Sequence, residues 1–249
     1  MNKFFLEKSF VVGNEFEILN PEDVHHIVHV LRLFAGSRIL LSDGKNEYEG
    51  VIEEISGEVV KGKITDLNRS FRERKVGLSL IQGMPKAKKI EFIAEKATEI
   101  GLVGVFPAFM DRSVVKPTGK DGEKHERLVK KVLAACEQSK RNKIMQVGKF
   151  QEFKDVISGI EADLKLIAYE DEEGTTLKDV LSEYKEKKKN DCKDINISLI
   201  IGPEGGITDS ELDLAAANGY RRVSLGGSIL RTETAGLVAS SMIFYEFDL

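Results

Sequence analysis

The sequence predicts an α/β fold preceded by a small β-barrel, and three observations carry that prediction. Short β-prone runs punctuated by tight-turn signals fill the chain up to Ser70. Beyond Ser70, strand-like runs alternate with amphipathic helical segments, the pattern of an α/β layer architecture. Near the C-terminus two glycine-rich loops each follow a hydrophobic strand-like run and each open into a helix-like segment.

In the N-terminal part, residues 38–42 and 48–52 read as strands, with turns at Asp43-Gly44 and Ser56-Gly57. The expectation is a small antiparallel barrel over residues 1–70 and an α/β domain over residues 71–249. In the second part, residues 76–81 read as a strand, 88–100 as a helix and 103–106 as a strand stopped by Pro107. The first helix puts Ile90, Ile93, Ala94 and Ala97 on one face and ends at Gly101, a favourable C-cap residue. A second helix, 124–139, is expected to bury Leu128, Val129, Val132, Leu133 and Cys136 while Lys124, Arg127, Lys130 and Lys131 stay on polar faces. Thr208 and Glu211 have capping-box spacing, and the lysines of 185–189 beside Asn190-Asp191 read as a solvated loop, with an RNA contact as the alternative.

Composition narrows the function classes. A net charge of −4 and a pI near 5.8 argue against a generally basic nucleic-acid binder, so any RNA contact must come from local patches. Up to Ser70 there are 8 Lys+Arg against 12 Asp+Glu, and the remainder, 37 − 8 against 41 − 12, is balanced at 29 each. Cys136 and Cys192 have neither disulfide-framework nor zinc spacing, which suits a reducing compartment. The N-terminus lacks a signal-peptide apolar region and no run reaches the roughly 18 apolar residues of a membrane span, so the expectation is a cytoplasmic protein without a membrane partner.

The glycine loops are the strongest functional signal. The first is Gly202-Pro203-Glu204-Gly205-Gly206, reached through residues 197–201; the second runs from Leu225 to Ala235, reached through Val223-Ser224. Glycine admits positive φ and lets backbone N–H and C=O groups approach a ligand, and Pro203 stiffens the entry. If the two strands are parallel neighbours, both loops lie at the strand ends where open α/β sheets bind ligands. The plain alternative is a pair of tight strand-to-helix turns. No Lys-Ser or Lys-Thr closes either loop and neither has Gly-x-Gly-x-x-Gly spacing, which disfavours nucleoside triphosphate and dinucleotide cofactors.

His25 and His29 are spaced i, i+4, but no His-Glu-x-x-His pattern, cysteine or carboxylate cluster completes a metal site, and none is expected. Arg112, Lys116 and Arg141, with Lys86, Lys88 and Lys89, are better candidates for phosphate contacts, and each has surface ion pairing as its alternative.

Ile201 to Gly206 and Ile229 to Ala235 resemble the cofactor loops of the SPOUT methyltransferases, in particular the bacterial 16S rRNA uridine-N3 methyltransferases. Residues 25–32, 96–101 and 112–116, and Glu137-Gln138-Ser139 with Arg141, are similar to further segments of that family. The chain departs from the family pattern at Lys3, where Arg is common, at Lys140, where Gly is common, and at Gly227-Ser228. The resemblance implies a PUA-like RNA-binding barrel and a SPOUT domain with a deep trefoil knot. It further implies a homodimer, S-adenosylmethionine as cofactor, and 16S rRNA or the small ribosomal subunit as partner. On that reading Ile201, Gly202, Pro203, Glu204, Gly205, Gly206, Leu225, Gly226, Ile229, Leu230, Arg231, Thr232 and Ala235 hold the cofactor. Arg32, Arg112, Lys116 and Arg141 contact RNA. Methyl transfer to N3 needs a cation beside the developing imide anion, and Arg231 is expected to supply it, with Glu204 or Glu233 orienting Arg231 or the cofactor amine. Thr232 has helix N-capping, and Glu233 the charge complement of a helix N-terminus, as alternative roles. A ribose 2′-O-methyltransferase on the same fold and a non-enzymatic RNA-binding assembly factor remain as other functions.

Overall fold

The structure, a computed structural model, describes residues 1–6, 11–44, 46–68, 76–86, 88–188 and 194–248. Ser70, Cys192 and the end of the lysine run at 189–191 lie outside the described residues. Backbone contacts divide the chain into two compact units, Met1–Glu73 with Cys136–Ile144, and Arg74–Ala135 with Met145–Leu249.

The first unit contains β1 (Lys3–Phe5), β2 (Val11–Val12), β3 (Glu15–Ile18), α1 (Pro21–His25), β4 (Arg38–Ser42), β5 (Glu47–Ser56) and β6 (Val59–Asn68). Its sheet runs β1-β4-β5-β6-β3-β2 and is antiparallel except for the parallel pair of β1 with β4. The all-antiparallel expectation fails at that edge because β1 and β4 are joined by a long crossover carrying β2, β3 and α1, which permits parallel pairing. Among the described residues no strand pair closes the two edges, so the expected barrel is a curled sheet. Register breaks at Glu49/Gly50 and Ile52/Glu54 bend β5, and Phe16 packs where a Cβ on Gly50 or Gly62 would come within 2.7 or 2.6 Å of its ring. Phe4, Phe16, Ile27, Ile39, Leu41 and Ile52 form the core beneath.

Segment 136–144 completes this unit. Buried Lys3 pairs with Glu47 at 2.7 Å and donates to Asn142 Oδ1 at 2.8 Å. The departure at Lys3 therefore lies in an internal ion pair, where an unpartnered charge would be costly.

The second unit holds β7 (Val76–Gly83), α2 (Lys89–Ile100), β8 (Gly104–Phe109), the start of α3 (Asp121–Gln138), β9 (Gln146–Val147), β10 (Gln151–Glu152) and α4 (Phe153–Ser158). It continues through β11 (Leu164–Ala168), α5 (Leu177–Lys187), β12 (Ile195–Ile201), α6 (Asp209–Ala217), β13 (Arg221–Val223) and α7 (Thr232–Asp248). The sheet is parallel, in the order β10-β8-β7-β12-β11-β13, with β9 also on the edge of β8. Its central strands are buried on both faces and read as nearly unbroken Ile and Leu.

Several local expectations change here for identifiable reasons. Strand β8 runs through Pro107, which faces Gln82 of β7 on one side and the gap between β9 and β10 on the other, so its missing N–H breaks no ladder bond. Val129 of α3 is 38% exposed and Leu133 only partly buried, whereas Leu128, Val132 and Cys136 are buried. Lys185 and Lys187 form the last turn of α5, beneath a complete Thr176–Asp179 capping box, rather than a loop; they pair with Glu246 and Glu183. Helix α2 ends at Gly101 with φ 112°, and Thr208 with Glu211 caps α6 reciprocally.

Candidate active site

Three parallel strands, β12, β11 and β13, deliver their C-terminal loops to one place. The loop-bearing strands β12 and β13 are not neighbours: β11 lies between them, so the loop after β11 joins the site, which the sequence did not indicate. Residues Tyr169, Glu170, Glu172, Glu173 and Thr176 from that loop, together with Lys89 at the start of α2, line a cavity of about 800 Å³. Ile201, Gly202, Pro203, Glu204 and Gly206 form one wall; Leu225, Gly226, Ile229, Leu230, Arg231, Thr232 and Ala235 form another. Gly205, expected in the same wall, turns away from the cavity. A Cβ there would meet the Arg112 carbonyl at 2.7 Å, so glycine is required by the chain packed behind it.

The second loop is unusual in its backbone. Gly226 has φ 120°, and apart from the Gly226 N–H on Ser224 Oγ at 3.3 Å, none of the backbone groups of residues 225–230 is hydrogen-bonded within the described residues. Backbone groups along a concave wall ordinarily find partners, so this row is free to meet the donors and acceptors of a polar ligand. The first loop is closed on itself, with Gly206 at φ 79° donating to the Pro203 carbonyl at 3.0 Å.

Thr232 joins the two walls. It is the first residue of α7, inside the helix rather than its N-cap, and its hydroxyl donates to the Gly202 carbonyl at 2.6 Å while accepting from Gln82 Nε2 at 2.8 Å. Lys89 makes the other bridge, its ammonium 2.9 Å from Glu204 and 3.0 Å from Glu233. Neither carboxylate pairs with Arg231, contrary to one of the expected roles. Partial burial draws the Glu204 carboxyl upward, but Lys89 and the backbone N–H groups of Glu204 and Lys86 together hold it below the usual range. Glu233 is likewise lowered, first by its own N–H and then by Lys89. Both groups are therefore anions at neutral pH and are poorly suited to carry a proton. Glu233 stands in the first turn of α7 and does not line the cavity.

Arg231 is exposed at the mouth of the cavity, and its guanidinium meets no carboxylate within salt-bridge distance among the described residues. Arg112 lies against the first loop, donating to the Gly205 carbonyl at 3.4 Å, and Lys116 donates to the Asp111 carbonyl at 3.0 Å; both side chains are exposed. Arg32 and Arg141 belong to the first unit. Of the lysine group expected to face phosphate, Lys86 and Lys88 are exposed and Lys89 is committed to the two carboxylates. His25 and His29 stay neighbours, with ring centroids 4.8 Å apart, although the α-helix gives way to a π-turn at His26–Val30.

Residues 72–244 match the model of an RNA methyltransferase domain and residues 19–65 that of an RNA methyltransferase PUA domain. The chain is 30% identical to the ribosomal RNA small subunit methyltransferase E of Bacillus subtilis, over 100% of this chain and 98% of the relative. It is 31% identical to the Synechocystis protein of the same name, over 90% of this chain and 71% of that one. Among solved structures, the Neisseria gonorrhoeae ribosomal RNA small subunit methyltransferase E bound to S-adenosyl methionine superimposes with a TM-score of 0.84 at 26% identity, covering 98% and 97% of the two chains. A Legionella pneumophila putative methyltransferase in complex with the same cofactor gives 0.81 at 27% identity, covering 98% and 96%.

Proposed function

Because the chain belongs to the RNA methyltransferase family that includes the small subunit methyltransferase E proteins, we propose that it methylates 16S rRNA of the small ribosomal subunit at N3 of a uridine, using S-adenosylmethionine. The observation that carries this reading is the cavity at the ends of β11, β12 and β13, with the backbone groups of 225–230, Gly226 N–H apart, unpaired among the described residues and an arginine outside any salt bridge at its mouth. A polar, adenosine-sized ligand suits a wall of that kind. The cofactor would lie between residues 201–206 and 225–235, and supplies, when bound, an electrophilic methyl group.

The chain's own contribution is electrostatic. Uridine N3 attacks as an anion once its imide proton has passed to solvent at the exposed mouth of the cavity, and the Arg231 guanidinium would stabilise that charge as it develops. Glu204 and Glu233 are both bridged by Lys89, which leaves the Arg231 guanidinium outside any salt bridge among the described residues. Arg112 and Lys116 supply phosphate contacts beside the first loop, and Arg32 and Arg141 supply them on the N-terminal unit.

The remaining parts of the proposal rest on the resemblance: a PUA-like domain over residues 1–70, a SPOUT domain over 71–249 threaded as a deep trefoil knot, and a homodimer. An apolar groove between α5 and α7, walled by Leu181, Leu237, Val238 and Met242, supports the dimer. No helix among the described residues is long and apolar enough to cross a membrane, and the rRNA substrate suits a cytoplasmic location.

Calorimetric titration tests the pocket directly. S-adenosylmethionine should bind the purified protein without RNA, and Gly205→Val should weaken binding by at least about tenfold, because its side chain displaces the first loop from Arg112. Absence of saturable binding to the wild-type protein would remove the assignment.

A further inference from the structure

Segment 30–34, which links the π-turn at His26–Val30 to the turn before β4, presents an alternating row to solvent. Leu31 and Leu33 pack inward on the core of the first unit, while Val30, Arg32 and Phe34 face out, with Val30 61% and Phe34 70% exposed. Two large apolar side chains this exposed within five residues, with an arginine between them in sequence, are what a binding surface offers.

The row is held in place by the backbone. Leu31 N–H donates to His26 O at 2.9 Å, Leu33 N–H to Ile27 O at 3.0 Å, Phe34 N–H to Ser37 Oγ at 3.0 Å and Ser37 N–H to Phe34 O at 2.9 Å. Arg32 sits at φ +51°, a conformation that L residues rarely adopt, between the two exposed apolar residues in sequence. The exposed His29 and Arg38 flank the row.

We infer that Val30, Arg32 and Phe34 form a stacking platform for an unpaired RNA base, with the ring of Phe34 against the base face and Arg32 on the adjoining phosphate. The inference rests on the RNA-methylating function proposed above and adds to it where a single-stranded nucleotide is held on the N-terminal unit. Aromatic rings beside cations are how barrel-like domains bind single strands, and the positive side chains suit a polyanion better than an apolar protein surface.

Fluorescence anisotropy with a labelled single-stranded oligoribonucleotide of about twelve nucleotides, a length one such domain can hold, tests the platform, with S-adenosylmethionine titration and melting temperature as controls. Phe34→Ala should lower RNA affinity about tenfold, as loss of one stacked base does, leaving the salt dependence, cofactor affinity and melting temperature as in wild type. Phe34→Tyr should restore binding. Arg32→Ala should reduce the slope of log affinity against log salt by about one. Wild-type affinity in Phe34→Ala would overturn the inference, as would an altered oligomeric state with RNA affinity intact, which would make this face a protein contact. If the wild-type protein methylates small-subunit rRNA and Phe34→Ala is indifferent, only the platform fails; if the wild type neither binds nor methylates rRNA, the proposed function fails with it.

Discussion

The Thr232 hydroxyl and the Gly202 carbonyl, 30 residues apart in sequence, are 2.6 Å apart in space, and this hydrogen bond ties the start of α7 to the first glycine loop. Gln82 Nε2 completes the junction by donating to the same hydroxyl at 2.8 Å. Thr232→Val keeps the shape but leaves a half-buried carbonyl without its donor, so stability should fall by about 1 kcal/mol. Cofactor affinity should fall with it, because both walls move, and Thr232→Ser should retain both. Denaturant titration and calorimetry check the pair of effects.

Lys89 is the second junction, and its removal leaves Glu204 and Glu233 as like charges without the ammonium that bridges them. Lys89→Ala should weaken S-adenosylmethionine binding several-fold to about tenfold, with Lys89→Arg close to wild type. Adding Glu204→Gln to Lys89→Ala should recover part of the loss, since neutralising one member of the pair removes their mutual repulsion while the Lys89 bridge stays lost. An additive double mutant in the calorimeter would show that the three charges do not act together.

Lys140 occupies a glycine's place. It has φ +57°, its N–H donates to Glu137 O at 3.2 Å and the Arg141 N–H donates to Cys136 O at 2.9 Å, the paired bonds of a Schellman ending to α3. Lys140→Gly should relieve the left-handed strain and raise stability by up to about 1 kcal/mol, measured as a higher denaturation midpoint at unchanged slope.

In the N-terminal unit burial, with a contribution from Glu22, raises the Asp23 carboxyl from 3.8 to about 6, and burial with the Asp23 charge raises Glu137 from 4.5 to about 7. The folded state thus binds protons that the unfolded chain has released, so this contribution to stability is full below about pH 4 and is lost as pH rises through 6 to 7. Glu137→Gln should flatten the fall in melting temperature between about pH 5 and pH 8 and raise the melting temperature at the upper end.

Much of this was legible in the sequence because local chemistry decided it. Gly101, the Thr208–Glu211 box and the apolar face of Ile90, Ile93, Ala94 and Ala97 each specify structure within a turn or two of chain, and each stands where the pattern puts it. Glycine loops after strand-like runs marked the cavity for the same reason. What escaped depended on strand order. Nothing within residues 164–176 signals that β11 inserts between β12 and β13, so Tyr169, Glu170 and Thr176 could not be assigned to the cavity. Lys89 read as one of a group of surface cations, because its partners come from 115 and 144 residues further along the chain. Pro107 read as a strand stop because the gap beside β8 exists only in the assembled sheet.

The most direct test of the central claim is the nucleoside made. Small-subunit rRNA incubated with the protein and S-adenosylmethionine, digested and analysed by mass spectrometry against standards, should contain 3-methyluridine with the wild-type protein. Arg231→Ala should bind the cofactor normally yet form that product at least about 100-fold more slowly in a single turnover, the scale of losing one charge-stabilising group. Appearance of 2′-O-methyluridine, of no methylated nucleoside, or of 3-methyluridine at the wild-type rate from Arg231→Ala would contradict it.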